Sequence, residues 1–177
     1  MARLKVYGDV VPDWEKLKAS GKAIDLAAVG NGGLVLSSSD MYFGKPNNML
    51  MPGRAANMGD GWETKRRRGP GHDWCIIKLG APGLIEEIEL DTNHFKGNYP
   101  DTCLIEGIGA PRAALEEIDN SDAAWFELLP KTKLAANKRH FFKNELKTIQ
   151  PCSHVRLRIF PDGGVSRLRL YGRLVQS

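Results

Sequence analysis

The sequence predicts an all-β protein, an antiparallel β-sandwich or jelly roll with short helices kept to the connections. Three observations carry this. Apolar residues in the second half recur at every second position, the period of a half-buried strand. These runs are short and regularly spaced, with turn chemistry between them that draws on 19 Gly and 10 Pro. Helical patterning is confined to two brief stretches.

In chain order, Asp13 can cap a helix over residues 14–19, closed by Gly21. Residues 75–79 and 85–92 read as two strands, the second with Ile88 and Leu90 on either side of Glu89. Residues 103–108 form another. Pro111 opens a turn or two of helix over 112–117, and residues 125–129 return to strand. In 154–160, Val155, Leu157 and Ile159 face inward while Arg156 and Arg158 face outward. Residues 165–171 repeat this, with Leu168 and Leu170 inward and Arg167 and Arg169 outward. Between these two strands Pro161-Asp162-Gly163-Gly164 reads as a hairpin turn, since its glycines accept positive φ.

A chain of 177 residues can bury a full core as one domain, and its 42% hydrophobic and 26% charged residues are those of a soluble globular protein. No apolar run is long enough to span a bilayer. The first residues lack the apolar centre of a signal peptide, and the last are not a peroxisomal address. Cys75, Cys103 and Cys152 are an odd, sparse set, which argues against a disulfide framework and for buried free thiols in a reducing, cytoplasmic compartment. The net charge of +4 is mild. The run Lys65-Arg66-Arg67-Arg68 would suit phosphate, but no nucleic-acid-binding motif accompanies it. A small anionic ligand or a subunit contact accounts for it more simply. Neither a membrane nor a nucleic acid is expected as a partner.

Two polar blocks, residues 58–74 and 91–100, stand out. They crowd Trp, Glu, Arg, His and Asp among Gly and Pro, which adds nothing to core packing. Such crowding is expected of loop-borne sites on a rigid scaffold. Glu63, His72, Asp73 and His94 are their acid–base groups, and Arg66, Arg67, Arg68 and Lys96, with Arg167 further on, their anion holders. Asn48 and Asn98 offer amide hydrogen bonds. Trp62 and Trp74 flank the basic run and read first as packing residues, with Trp62 also a candidate substrate contact. His140 and His154 lie away from the blocks. His72 and His94 with Asp73 or Asp91 could hold a divalent metal such as Mn²⁺ or Zn²⁺, but no short ligand motif is present, and no cofactor is called for with certainty.

These segments resemble the allantoicase family. The matching strings are Ser37-Ser38-Ser39-Asp40-Met41-Tyr42-Phe43-Gly44, Asn47-Asn48-Met49-Leu50, residues 58–74 with Asp60-Gly61-Trp62-Glu63-Thr64, residues 91–100 with His94-Phe95-Lys96-Gly97-Asn98, and residues 161–169. The resemblance implies jelly-roll domains of the galactose-binding type in two similar copies. It also implies an oligomer and the hydrolysis of allantoate to ureidoglycolate and urea in purine degradation. Allantoate carries two ureido groups and a carboxylate on one carbon. Losing urea needs a proton on the departing nitrogen, a water to replace it and a cation on the carboxylate. Glu63 and His94 are the expected proton-transfer pair, with His72 and Asp73 as the alternative, and one of Arg66 to Arg68 as the carboxylate clamp.

Arg3-Leu4-Lys5-Val6-Tyr7-Gly8 nearly repeats Arg167-Leu168-Arg169-Leu170-Tyr171-Gly172. A tandem protein cut between copies explains this, with residues 1–12 the tail strand and linker of a preceding repeat, and 13–177 the second. Two other functions compete with the enzyme: a non-catalytic jelly-roll binding module, and a structural or oligomerisation domain whose sister copy holds the chemistry. The density of titratable groups beside Arg favours the enzyme over the binding module.

Overall fold

The computed structural model describes residues 8–120, 122–147 and 150–175. The strand-like residues 3–7 of the repeated motif lie outside them. Residues 8–12 run without regular structure into α1 (Trp14–Ala19), whose N-terminus is capped by Asp13 Oδ1 accepting from Lys16 N at 3.0 Å. The strands are β1 (Ile24–Asp25), β2 (Leu34–Ser38), β3 (Trp62–Glu63), β4 (Asp73–Asp91), β5 (Thr102–Ile108), β6 (Phe126–Lys133), β7 (Arg139–Phe142), β8 (Cys152–Phe160), β9 (Gly164–Val165) and β10 (Arg167–Leu174). A short helix α2 (Leu115–Ile118) lies between β5 and β6, slightly beyond the stretch expected after Pro111. Turns of 3₁₀ helix cover Val29–Asn31, Pro46–Leu50 and Met58–Asp60.

One strand organises the sandwich. The two strands expected over 75–79 and 85–92 are a single bent strand, β4. Its first half pairs antiparallel with β2 and β8, and its second half with β10 and β7. β5 and β6 extend the first sheet beyond β8, and β1 borders β10 in the second. The bend falls at Gly80-Ala81-Pro82-Gly83, where the β8 register shifts between Lys78 and Gly83. Backbone approaches closely here: a Cβ on Gly80 would lie 1.7 Å from Asn31 O. Between the sheets, Cys75, Ile77, Ile88, Leu90, Ile105, Val155, Leu157, Leu168 and Leu170 form one core. Ile76 faces the other way, onto Ile108 and Ile118 beneath α2.

β4 leaves one rim at Asp73, crosses over at the far end and returns to the same rim at Asp91. Asp73 pairs with Ile159 and Asp91 with Arg167, the two ends of the 160–167 connection. Both polar blocks therefore emerge at one end of the sandwich. Residues 161–164 are not a hairpin turn. They carry the chain from β8 in one sheet to β10 in the other, and β9 within this passage pairs with β3. The alternation of β8 is as expected, but Arg167 and Arg169 do not face solvent. They are 3% and 9% exposed, because residues 46–61 fold across that face of β10.

Candidate active site

The core of the site is the two-stranded pairing of β3 with β9. Successive side chains of a strand point to opposite sides, so Trp62 and Glu63 part company. Trp62 is fully buried in the core, its Nε1 donating to Asp40 O at 2.9 Å. Glu63 turns the other way and stays half-buried, its Oε1 accepting from Asn98 Nδ2 at 2.5 Å. The second polar block is locked to the same floor: Gly164 N donates to Asn98 O at 2.8 Å and Thr64 N to Gly163 O at 3.1 Å. Gly164 has no substitute here, since a Cβ would lie 2.0 Å from Cε1 of the buried Phe95 ring.

A cavity of about 480 Å³ opens beside Glu63, with Arg66, Asn98, Tyr99, Asp101 and Asp162 in its wall. The basic run is pinned from beneath. Lys65 N donates to Asp40 Oδ2 at 2.5 Å and Arg67 N to Asp162 Oδ2 at 2.8 Å. Arg67 Nη2 reaches the buried Asp73 at 2.6 Å, and Ser39 Oγ donates to the same carboxylate at 2.9 Å. With Arg67 committed downward, Arg66 and Arg68 remain exposed. Arg66 borders this cavity and an adjoining one shared with Arg68, Lys65, Tyr42 and Phe43. A carboxylate held by an amide, next to an uncommitted guanidinium, can move a proton on a ligand whose anionic end is fixed. A larger cleft of about 850 Å³ lies at the opposite end, among Trp14, Pro82, Pro111 and Pro151, and lacks such a combination.

The other acid–base candidates have different partners. His72 stacks on Phe160 with ring centroids 4.8 Å apart, and its Nε2 accepts from Arg158 Nε at 2.9 Å. Burial, then the Arg158 and Arg67 charges, hold its pKa below the ordinary histidine value, so the ring is neutral with its proton on Nδ1. His94 adopts φ of 71°. Its N donates to Asn137 Oδ1 at 2.8 Å and its Nε2 lies 2.9 Å from Ala55 O. Among the described residues, no three His, Cys, Asp or Glu side chains converge as metal ligands would.

The family described as allantoicase repeat matches residues 24–175. The chain belongs to the allantoicase repeat family. It is 53% identical over its whole length to allantoicase of Dictyostelium discoideum, covering 48% of that protein. The crystal structure of allantoicase from Saccharomyces cerevisiae is 41% identical and superposes with a TM-score of 0.78, over 94% of this chain and 46% of that one. The chain thus spans about half the length of the relatives it matches. A fucolectin from striped bass serum shares the sandwich at 12% identity and a TM-score of 0.62, over 84% of this chain and 48% of that one, a likeness of fold alone.

Within this allantoicase repeat, Glu63, Arg66, Arg67 and Asn98 border one cavity. Trp62, Asp73 and Arg167 are buried beneath the rim, while Lys96 and Arg68 are exposed on it. Arg167 has its donors engaged by protein: Nε to Gly53 O at 3.0 Å, Nη1 to Asp60 O at 2.5 Å and Ser166 O at 2.7 Å, and Nη2 to Asp60 Oδ2 at 2.9 Å. Sequence reasoning gave no site role to Phe43, Tyr99 or Asp101, and took Asp162 as turn chemistry. Their signal was adjacency: Phe43 lies in a matching string, Tyr99 lies in the block with Asn98 and Asp101 follows it, and Asp162 opens the glycine pair that carries β9.

Proposed function

We propose that the chain acts as the second repeat of a two-repeat allantoicase, hydrolysing allantoate to ureidoglycolate and urea. Membership of the allantoicase repeat family supports the substrate, and the Glu63–Asn98 pair beside Arg66 supports the chemistry. Residues 1–12 belong in this reading to the preceding repeat and its linker, and residues 13–177 form the repeat itself. The assembly is a homo-oligomer in a reducing, cytoplasmic setting, consistent with three buried free thiols.

Arg66 clamps the substrate carboxylate bidentately. Glu63, oriented by Asn98, transfers the proton between the incoming water and the departing ureido nitrogen. Asp101 is a second carboxyl group in the wall, while His94 is turned toward Ala55 and braces the loop beneath. Urea release from allantoate, measured with the native mass of the same preparation, tests the reading. Glu63→Gln is expected to lower turnover by about 10²- to 10⁴-fold; a wild-type rate in that variant excludes Glu63 as the proton carrier. A folded single-repeat species that releases no urea places the activity in the assembly with the sister repeat.

A further inference from the structure

We propose that Met58 is an oxidation site through which a peroxide alters the hold on Asn98. This rests on the reading of Asn98 as a site residue. Met58 opens the 3₁₀ turn Met58–Asp60 and is 45% exposed. Its Sδ lies 3.9 Å from Asn98 Nδ2, the same nitrogen that donates to Glu63 Oε1 at 2.5 Å. A thioether is a weak acceptor, so in the reduced protein the amide is governed by Glu63. A sulfoxide oxygen on that sulfur is a far stronger acceptor, placed on an atom already in contact. It pins the amide from its second hydrogen and puts a polar group beside Asn98, a residue of the cavity wall.

The sulfur lone pair takes one oxygen from hydrogen peroxide, the O–O bond breaks and water leaves. Sulfur is oxidised by two electrons, the peroxide is reduced, and a thiol-dependent sulfoxide reduction reverses the change. The cysteines do not compete. Cys75, Cys103 and Cys152 are buried, and burial pushes the thiols of Cys103 and Cys152 up to about 12, which suppresses the reactive thiolate. Met41 and Met51 are similarly exposed, at 53% and 43%, and serve as internal controls.

The test treats the chain and its Met58→Leu variant with hydrogen peroxide. Peptide masses follow each methionine, and the side-chain amide resonances of Asn98 are followed by NMR. Conversion of Met58 is expected to shift the Asn98 resonances in the wild type, and peroxide is expected to leave them unmoved in the variant. The accompanying fall in kcat/KM for allantoate is expected to be roughly three- to tenfold, the size of one neutral hydrogen bond, and confined to the wild type. Unmoved Asn98 resonances after full conversion of Met58 overturn the proposal, as does an equal loss of activity in Met58→Leu. If untreated wild type and variant both release no urea, the activity lies with the sister repeat as set out above, while the Asn98 resonances still decide the coupling.

Discussion

Arg167 shows how far a residue's role can depart from its place in a pattern. Alternation puts it opposite Leu168, and in an exposed strand that means solvent. Here the opposite face is roofed by the 46–61 segment, and the guanidinium becomes its anchor, bonding Gly53, Asp60 and Ser166. Arg169 repeats the device on Met49, Met51 and Gly53. Asp60 is held as a carboxylate, its pKa lowered first by the Ala56 N–H and then by Arg167. Removing Arg167 takes the donor from the Asp60 and Ser166 carbonyls and the paired charge from the Asp60 carboxylate, while Gly53 O keeps Arg169 and Asp60 Oδ2 keeps the Ala56 N–H. Losing one partner of a buried pair costs about 3–5 kcal/mol, and the lower end applies because the Asp60 side chain is 40% exposed. Arg167→Ala is therefore expected to destabilise the fold by about 3 kcal/mol in denaturant titration. Amide exchange should rise first at residues 53–60. Unchanged protection there would show that Arg167 does not anchor the segment.

At the scale of elements, the bent strand β4 does the positioning. Its two halves were legible as strands from their own alternation, and Gly80-Ala81-Pro82-Gly83 as an interruption. That the chain continues as one strand from sheet to sheet was not legible, because a bend and a loop share the same residues. Only the close approach of other backbone separates them. A Cβ on Gly80 meets Asn31 O, and one on Gly83 would lie 2.4 Å from Leu26 Cδ1 and 2.7 Å from Arg173 O. Gly80→Ala is expected to lower stability by about 2 kcal/mol, within the cost of overpacking a filled site, with a lower thermal midpoint as the readout. A midpoint equal to wild type would mean the crossing tolerates a side chain. The same limit applied to the 161–164 turn. Its composition marked a reversal, but whether β8 and β10 pair or part depends on which sheet receives β10, a long-range matter. The site was legible in part for a related reason. Glu63 and Asn98 stood out by composition, whereas Tyr99 and Asp101 join them only because the connection after β4 folds back on β9.

Over the whole molecule, three histidines tie stability to pH in one direction. His72, His140 and His154 all have pKa values lowered from the ordinary histidine value, in each case first by burial. Their hydrogen bonds fit the neutral ring. His140 lies 3.0 Å from Leu90 O through Nδ1 and accepts Ala135 N at 2.9 Å through Nε2, so a second ring proton would displace the Ala135 donor. A group whose folded pKa is depressed binds its proton more readily in the unfolded chain, so acid favours unfolding. The histidine contribution is therefore fully present above the unfolded value near 6.5 and is lost as pH falls from there toward the folded values. Asp25 acts oppositely. Burial raises its carboxyl above 3.8 despite Arg169, so its contribution is greatest in acid and is lost as pH rises through its folded value. The unfolding free energy is expected to fall between pH 7.5 and pH 5.5, by at most about 1.4 kcal/mol per pH unit for each histidine. His154→Asn, which removes one of the three titrations, should give a shallower slope. Denaturant titrations at the two pH values decide it: a flat wild-type profile, or an unchanged slope in His154→Asn, would remove the buried rings from the account and leave acid sensitivity to the carboxylates.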